Sequence, residues 1–187
     1  MVSSPRKYLF GVLISLLLLP GCGDFRAIFN GKPDQKVAQR KSNNKKPRKA
    51  PEYVLRQGQG KFLWPVEGPV NSPYGQRNGK MHDGIDLGGD EGDPIYASAA
   101  GEVVYSDKLG GYGNLVILKH EDGFFTAYAH NDKNLVDKGD NVKQGERIAE
   151  LGRTGNASGD HLHFEIRDDS GTYDPELFLP QARYTSK

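Results

Sequence analysis

From Phe62 onward the sequence sustains no 3.6-residue apolar period. Short runs alternate apolar with polar residues and are broken by glycine, proline and aspartate, the pattern of antiparallel strands joined by tight turns. The runs at 95–99, 101–106, 115–120, 124–130, 147–151 and 161–167 are the strand candidates. Asp122-Gly123 supplies a hairpin turn between the third and fourth of these. Gly139 and Gly145 centre further turns on either side of Val142. The 24 glycines, 11 prolines and 36% hydrophobic residues argue against a long helical bundle. The expected fold class is all-β, an antiparallel two-sheet sandwich or distorted barrel over residues 61–180, with 181–187 as a tail.

The residues before this domain are of a different kind. Arg6 and Lys7 precede an apolar run from Tyr8 to Leu19. At ~1.5 Å per residue the run spans about 18 Å, short of the ~30 Å hydrocarbon core of a bilayer. It therefore reads as the apolar region of a signal peptide, residues 1–21. The run ends in Leu19-Pro20-Gly21-Cys22, which resembles the lipobox of bacterial lipoproteins, where the cysteine is lipidated; an ordinary secretory signal with an incidental cysteine is the alternative. Cys22 is the sole cysteine, so an intramolecular disulfide and a multi-cysteine zinc site are both excluded. Residues 22–60 have no apolar period and read as a disordered basic linker. Charge divides the chain: residues 32–61 carry a net +8 and residues 62–187 a net −9. The basic stretch suits either contact with anionic lipid or wall polymer or a merely solvated spacer. The acidic body argues against nucleic acid as a partner. The chain is expected to act as a monomer.

Histidine carries the informative chemistry. In His161-Leu162-His163-Phe164-Glu165-Ile166-Arg167, period-2 alternation sends Leu162, Phe164 and Ile166 to the core and His161, His163, Glu165 and Arg167 to the other face. Two imidazoles two positions apart on one strand face lie roughly 6–7 Å apart at Cβ, so both reach one site. His82 and Asp86 stand four apart with Gly84 between them to let the backbone turn, while Ile85 and Leu87 anchor the segment. Taken alone, Asp86 also fits a turn and His82 the surface. His130 closes a further strand candidate at Tyr128-Ala129-His130. Together, His82, Asp86 and His163 form a nitrogen and oxygen donor set that suits tetrahedral zinc with one position open. An open position is what hydrolysis needs, because zinc lowers the pKa of a bound water from about 15.7 toward ~7. Two further histidines remain to handle protons or stabilise an oxyanion.

These residues carry a resemblance. Ser72-Pro73-Tyr74-Gly75-Gln76-Arg77, then HDGIDL, the turn Ala100-Gly101-Glu102-Val103-Val104, GNLVILKH, TAYAH, GERIAELGRTG and HLHFEIR follow one another between about Phe62 and Phe178. In that order they resemble the LytM/lysostaphin-type zinc endopeptidases of peptidase family M23, which cut peptide cross-links in bacterial cell wall. The resemblance implies that His82, Asp86 and His163 bind one zinc ion. It implies that His130 and His161 flank the metal-bound water, one as base and the other as stabiliser of the tetrahedral oxyanion. Asn131 and Asp160 depart from the family's usual leucine and proline, and neither removes a ligand. Asp160 orients an imidazole, changes substrate preference, or is a plain loop carboxylate. His120, of the same parity as Val116 and Leu118, reads as a structural strand histidine, and Tyr74, Tyr112 and Tyr128 either line a peptide groove or fill the core.

The function expected from all this is that of a lipid-anchored zinc metalloendopeptidase. It would hydrolyse cross-links or stem peptides of peptidoglycan from the cell envelope, facing the periplasm or cell wall. The alternative is a non-hydrolytic peptidoglycan-binding regulator that activates cell-wall amidases, since related domains without intact sites do so. Ligand loss would mark that class, and here all five positions are filled. A zinc site that serves only the fold is a third reading, against which the two spare histidines argue.

Overall fold

The computed structural model describes residues 60–181. The expected signal segment 1–21, all but the last residue of the expected linker 22–60, Cys22 itself, and the tail beyond residue 181 lie outside the described residues. The described chain forms strands β1 (Val70–Ser72), β2 (Gly75–Arg77), β3 (Lys80–His82), β4 (Ile85–Gly88), β5 (Pro94–Tyr96), β6 (Gly101–Leu109), β7 (Gly113–Lys119), β8 (Phe125–Asn131), β9 (Lys133–Asn134), β10 (Asn141–Val142), β11 (Arg147–Glu150), β12 (His161–Asp168) and β13 (Gly171–Tyr173). Two single 3₁₀ turns, Gly110–Tyr112 and Pro175–Leu177, are the helical elements among the described residues.

Every strand pairing is antiparallel. One large sheet runs β1-β4-β12-β8-β7-β6-β10, with β13 also paired to β12; β5-β11-β9 form a second sheet and β2-β3 a hairpin. The fold is thus all-β, as the alternation predicted. Side chains from both larger sheets share one core: Ile95, Ile148 and Ala149 of the small sheet pack with Leu87, Val116, Leu118, Leu162, Phe164 and Ile166 of the large one. The opposite face of the large sheet is buried too, where Leu115 and Ile117 of β7 and Phe125, Ala127 and Ala129 of β8 cluster with Tyr112. Burial on both faces explains why β7 reads as an almost unbroken apolar run rather than an alternating one.

The six expected strands are all present, with ends shifted by a few residues. The chain from Val70 to Gly88, in contrast, folds into four strands of three or four residues. At that length a strand is set by its partners and leaves too few positions for a visible alternation.

Gly84 corrects the expectation placed on it. It does not adopt a positive φ, so conformational freedom is not its contribution. A Cβ there would stand 2.3 Å from the Phe164 carbonyl oxygen and 3.0 Å from Glu165 Cγ. Glycine instead gives space: it lets the chain entering β4 lie against β12.

Candidate metal centre and the histidines around it

Strand pairing assembles the cluster. In the β4–β12 ladder Asp86 is the direct partner of His163, so two residues 77 positions apart become cross-strand neighbours on one face. The β2–β3 hairpin brings in His82 at its end. His82 Nε2 and His163 Nδ1 are 3.1 Å apart, and they lie 3.0 and 2.9 Å from Asp86 Oδ1. Both rings are buried. Arg77 approaches from the rim, its Nη1 donating to Ser72 Oγ and standing 3.4 Å from the outer oxygen, Asp86 Oδ2.

Each imidazole has one nitrogen engaged from behind. His82 Nδ1 donates to the Pro73 carbonyl at 2.8 Å, His130 Nδ1 to Thr154 at 2.8 Å and His161 Nδ1 to Gly159 at 2.8 Å. His163 Nε2 meets Glu165 Oε1 at 3.1 Å. In a neutral ring a donated N–H fixes the tautomer, so that the other nitrogen carries the lone pair. His161 Nε2 stands 3.8 Å from Asp86 Oδ1, and the His130 ring lies 4.8 Å from that of His161 and 5.9 Å from that of His163, centre to centre.

His130 reaches this group only through an irregularity. Asn131 pairs with Asn114 and Tyr128 with Val116, so Ala129 and His130 together oppose Leu115 alone, a β-bulge. By plain alternation His130 would share the face of Tyr128, whose ring packs against Phe164 in the core. At φ 65° it turns instead toward His161. Asn131, wholly buried, stabilises the bulge: its Nδ2 donates to the Tyr128 carbonyl at 3.0 Å, and its own carbonyl accepts from Thr154 Oγ1 and Asn114 Nδ2 at 2.7 and 3.0 Å.

The electrostatics of the cluster place a carboxylate charge between two imidazoles. Burial alone would raise the Asp86 carboxyl, but the bonds to His163 and His82 outweigh it and hold that group far below the usual carboxylate range. Burial would likewise lower His163, yet Asp86 and Glu165 on its two sides raise it to about 9. Two ring nitrogens and a carboxylate oxygen converge within 3.1 Å of one another, an arrangement that a proton on His163 satisfies in the metal-free protein and that a bound cation would satisfy in its place. Tetrahedral zinc with bonds of about 2.0–2.1 Å separates its ligands by about 3.3 Å. The three atoms match that spacing to within a few tenths of an ångström, so the donor set fits the ion.

Other residues singled out in the sequence have other places. His120 is buried away from the cluster, its Nδ1 2.8 Å from the Ala100 carbonyl and its Nε2 2.9 Å from Thr126 Oγ1; it is a structural histidine. Tyr128 is wholly buried and bonded to Ser98 and Thr126, and Tyr74 packs on the core with its hydroxyl donating to the Thr172 carbonyl. Tyr112 lies behind His163, 5.9 Å between rings. Asp160 is 3.8 Å from Arg153 on a surface loop. The residues the sequence reading passed over are the rear supports, above all Glu165, which alternation had already placed on the face of His163.

A two-layer β domain with a His–Asp–His cradle between its large sheet and the β2–β3 hairpin, and two more imidazoles beside it, is built like a metallopeptidase domain. The profile of peptidase family M23 matches residues 80–175, and the chain belongs to that family. It is similar to the uncharacterized lipoprotein YgeR of Escherichia coli K12, 47% identical over 66% of this chain and 49% of that protein. It is equally similar, at 47% identity over 64% of this chain and 31% of the relative, to the murein hydrolase activator NlpD of the same organism. The chain thus spans half or less of the length of either relative. Among solved structures, a zinc-containing peptidase from Vibrio cholerae superposes with a TM-score of 0.59 and 32% identity, over 65% of this chain and 41% of that one.

Proposed function

We propose that this protein is a zinc metalloendopeptidase of the bacterial cell envelope, tethered by a lipid on Cys22, that hydrolyses cross-link or stem peptides of peptidoglycan. One observation carries the reading: four imidazoles, each engaged at one nitrogen from behind, gather around Asp86, with His82 Nε2, His163 Nδ1 and His161 Nε2 at 3.0, 2.9 and 3.8 Å from its Oδ1 and the His130 ring 4.8 Å from that of His161. Three ligands alone would suffice for a fold-stabilising ion, and the other two rings point to chemistry.

His82 Nε2, His163 Nδ1 and Asp86 Oδ1 would hold the ion, which when bound supplies Lewis acidity toward a peptide carbonyl and toward water. His130 and His161 do the protein's share. Burial pushes the His130 imidazole down to about 4, so at neutral pH it is uncharged and accepts a proton at Nε2. His161, whose Nδ1 is held by the Gly159 carbonyl, has its Nε2 3.8 Å from Asp86 Oδ1, where the ring, once it has taken up a proton, would donate to the oxygen on which charge develops. Relatives that the name lipoprotein describes support a membrane-tethered location.

A second reading has support in the name of one relative, a murein hydrolase activator: binding of peptidoglycan and stimulation of an amidase without hydrolysis. A single series separates the two. Purified protein is expected to hold about one zinc and to release peptide-cleaved muropeptides, seen by mass spectrometry, with loss of cleavage on chelation. His163→Ala is expected to lose zinc, and His161→Ala to retain zinc while activity falls at least ~100-fold. Equal zinc loss in both variants would refute these roles, and amidase stimulation with intact wall peptides would favour the second reading.

A further inference from the structure

Glu165 is wholly buried in β12, and a buried carboxylate is costly unless its environment compensates. Apolar packing would serve stability there at least as well, so the charge needs another reason. Room has been made for it: Ala127 is its partner across the β12–β8 ladder, and Gly84 has no side chain to collide with its Cγ. Its oxygens are held from three directions. Tyr112 donates its hydroxyl to Oε1 at 2.7 Å, Arg167 donates Nη1 to Oε2 at 2.8 Å, and His163 donates Nε2–H to Oε1 at 3.1 Å.

Of the four imidazoles, His163 stands apart in the kind of group behind it. His82, His130 and His161 rest on backbone carbonyls, whereas His163 rests on a carboxylate whose position two other side chains determine. We propose that Glu165, braced by Tyr112 and Arg167, is a positioning residue that keeps His163 in the Nε2–H tautomer and so turns its Nδ1 to the metal. This rests on the metal-centre reading above. A carboxylate behind a ligating imidazole also strengthens the ring as a donor, and loss of such a partner typically costs 10–100-fold in metal affinity.

The test uses the full chain as wild type, Glu165→Gln and Tyr112→Phe. Zinc affinity is measured by competition with a chromogenic chelator, melting temperature on the metal-free protein, and the His163 tautomer by long-range ¹H–¹⁵N spectra of the zinc-loaded protein. Glu165→Gln is expected to weaken zinc binding by about 10–100-fold and to erode the Nε2–H tautomer signature. Tyr112→Phe keeps the carboxylate and is expected to weaken zinc severalfold with little change in metal-free melting; it decides the matter if Glu165→Gln does not fold. Zinc held as tightly by the variants as by wild type, or weaker binding with the tautomer unchanged, overturns the proposal alone. A wild type that binds no zinc overturns the metal centre, and this proposal with it.

Discussion

His130 is a non-glycine residue at φ 65°, in the left-handed region that costs L-residues about 1 kcal/mol or more. The structure maintains that conformation with the buried amide of Asn131 and the Thr154 backbone on either side. Asn131, which in the sequence is only a departure from a family leucine, is therefore a support for the bulge that aims the neighbouring ring. The imidazole of buried His120 is also pushed below its ordinary value by burial, but it packs edge-on against Phe62 in the core. Its depressed folded value gives a sign for pH dependence. Well above pH 6.5 both folded and unfolded chains carry it neutral; as the pH falls through 6.5, the unfolded chain gains the proton first and stability declines. Melting temperature should fall between pH 7.5 and pH 5, and His120→Gln should show a smaller fall over the same range.

The pairing of β4 with β12 decides whether a site exists. It sets Asp86 opposite His163, and it depends on Gly84, where a Cβ would meet the Phe164 carbonyl at 2.3 Å. Backbone cannot yield as a flexible side chain can, so Gly84→Ala must push the strands apart. The expected cost is about 1–3 kcal/mol or more, read as a melting temperature lowered by at least several degrees. Because the same displacement separates two proposed ligands, zinc affinity should fall in parallel. A variant that melts and binds zinc like wild type would show that β12 tolerates the extra methyl and that the close approach is incidental.

For the whole molecule, the two faces of the large sheet divide the labour. One face joins the small sheet in the main core; the other, lined by the smaller apolar cluster with Tyr112 and Ala129, backs the histidines. The acidic body, net −9, follows a basic stretch of net +8, and the proposed lipid on Cys22 would hold the protein at a membrane through acyl chains worth ~0.8 kcal/mol per buried methylene. Cys22→Ser should move the protein from the membrane fraction to the soluble one, and unchanged fractionation would rule out that anchor. What was legible in the sequence is what period 2 and residue type encode: an all-β chain, Leu162, Phe164 and Ile166 in the core, and a His–Asp–His donor set with two histidines to spare. Alternation is a local property, so it survives in the one-dimensional record. The rest depended on contacts between distant segments. The short strands from Val70 to Gly88 exist because neighbouring strands pair with them. His130 faces the cluster because a bulge overrides its parity. Glu165 became a support because Tyr112 and Arg167 close on it in three dimensions, and neither register nor closure is written in any one stretch of chain.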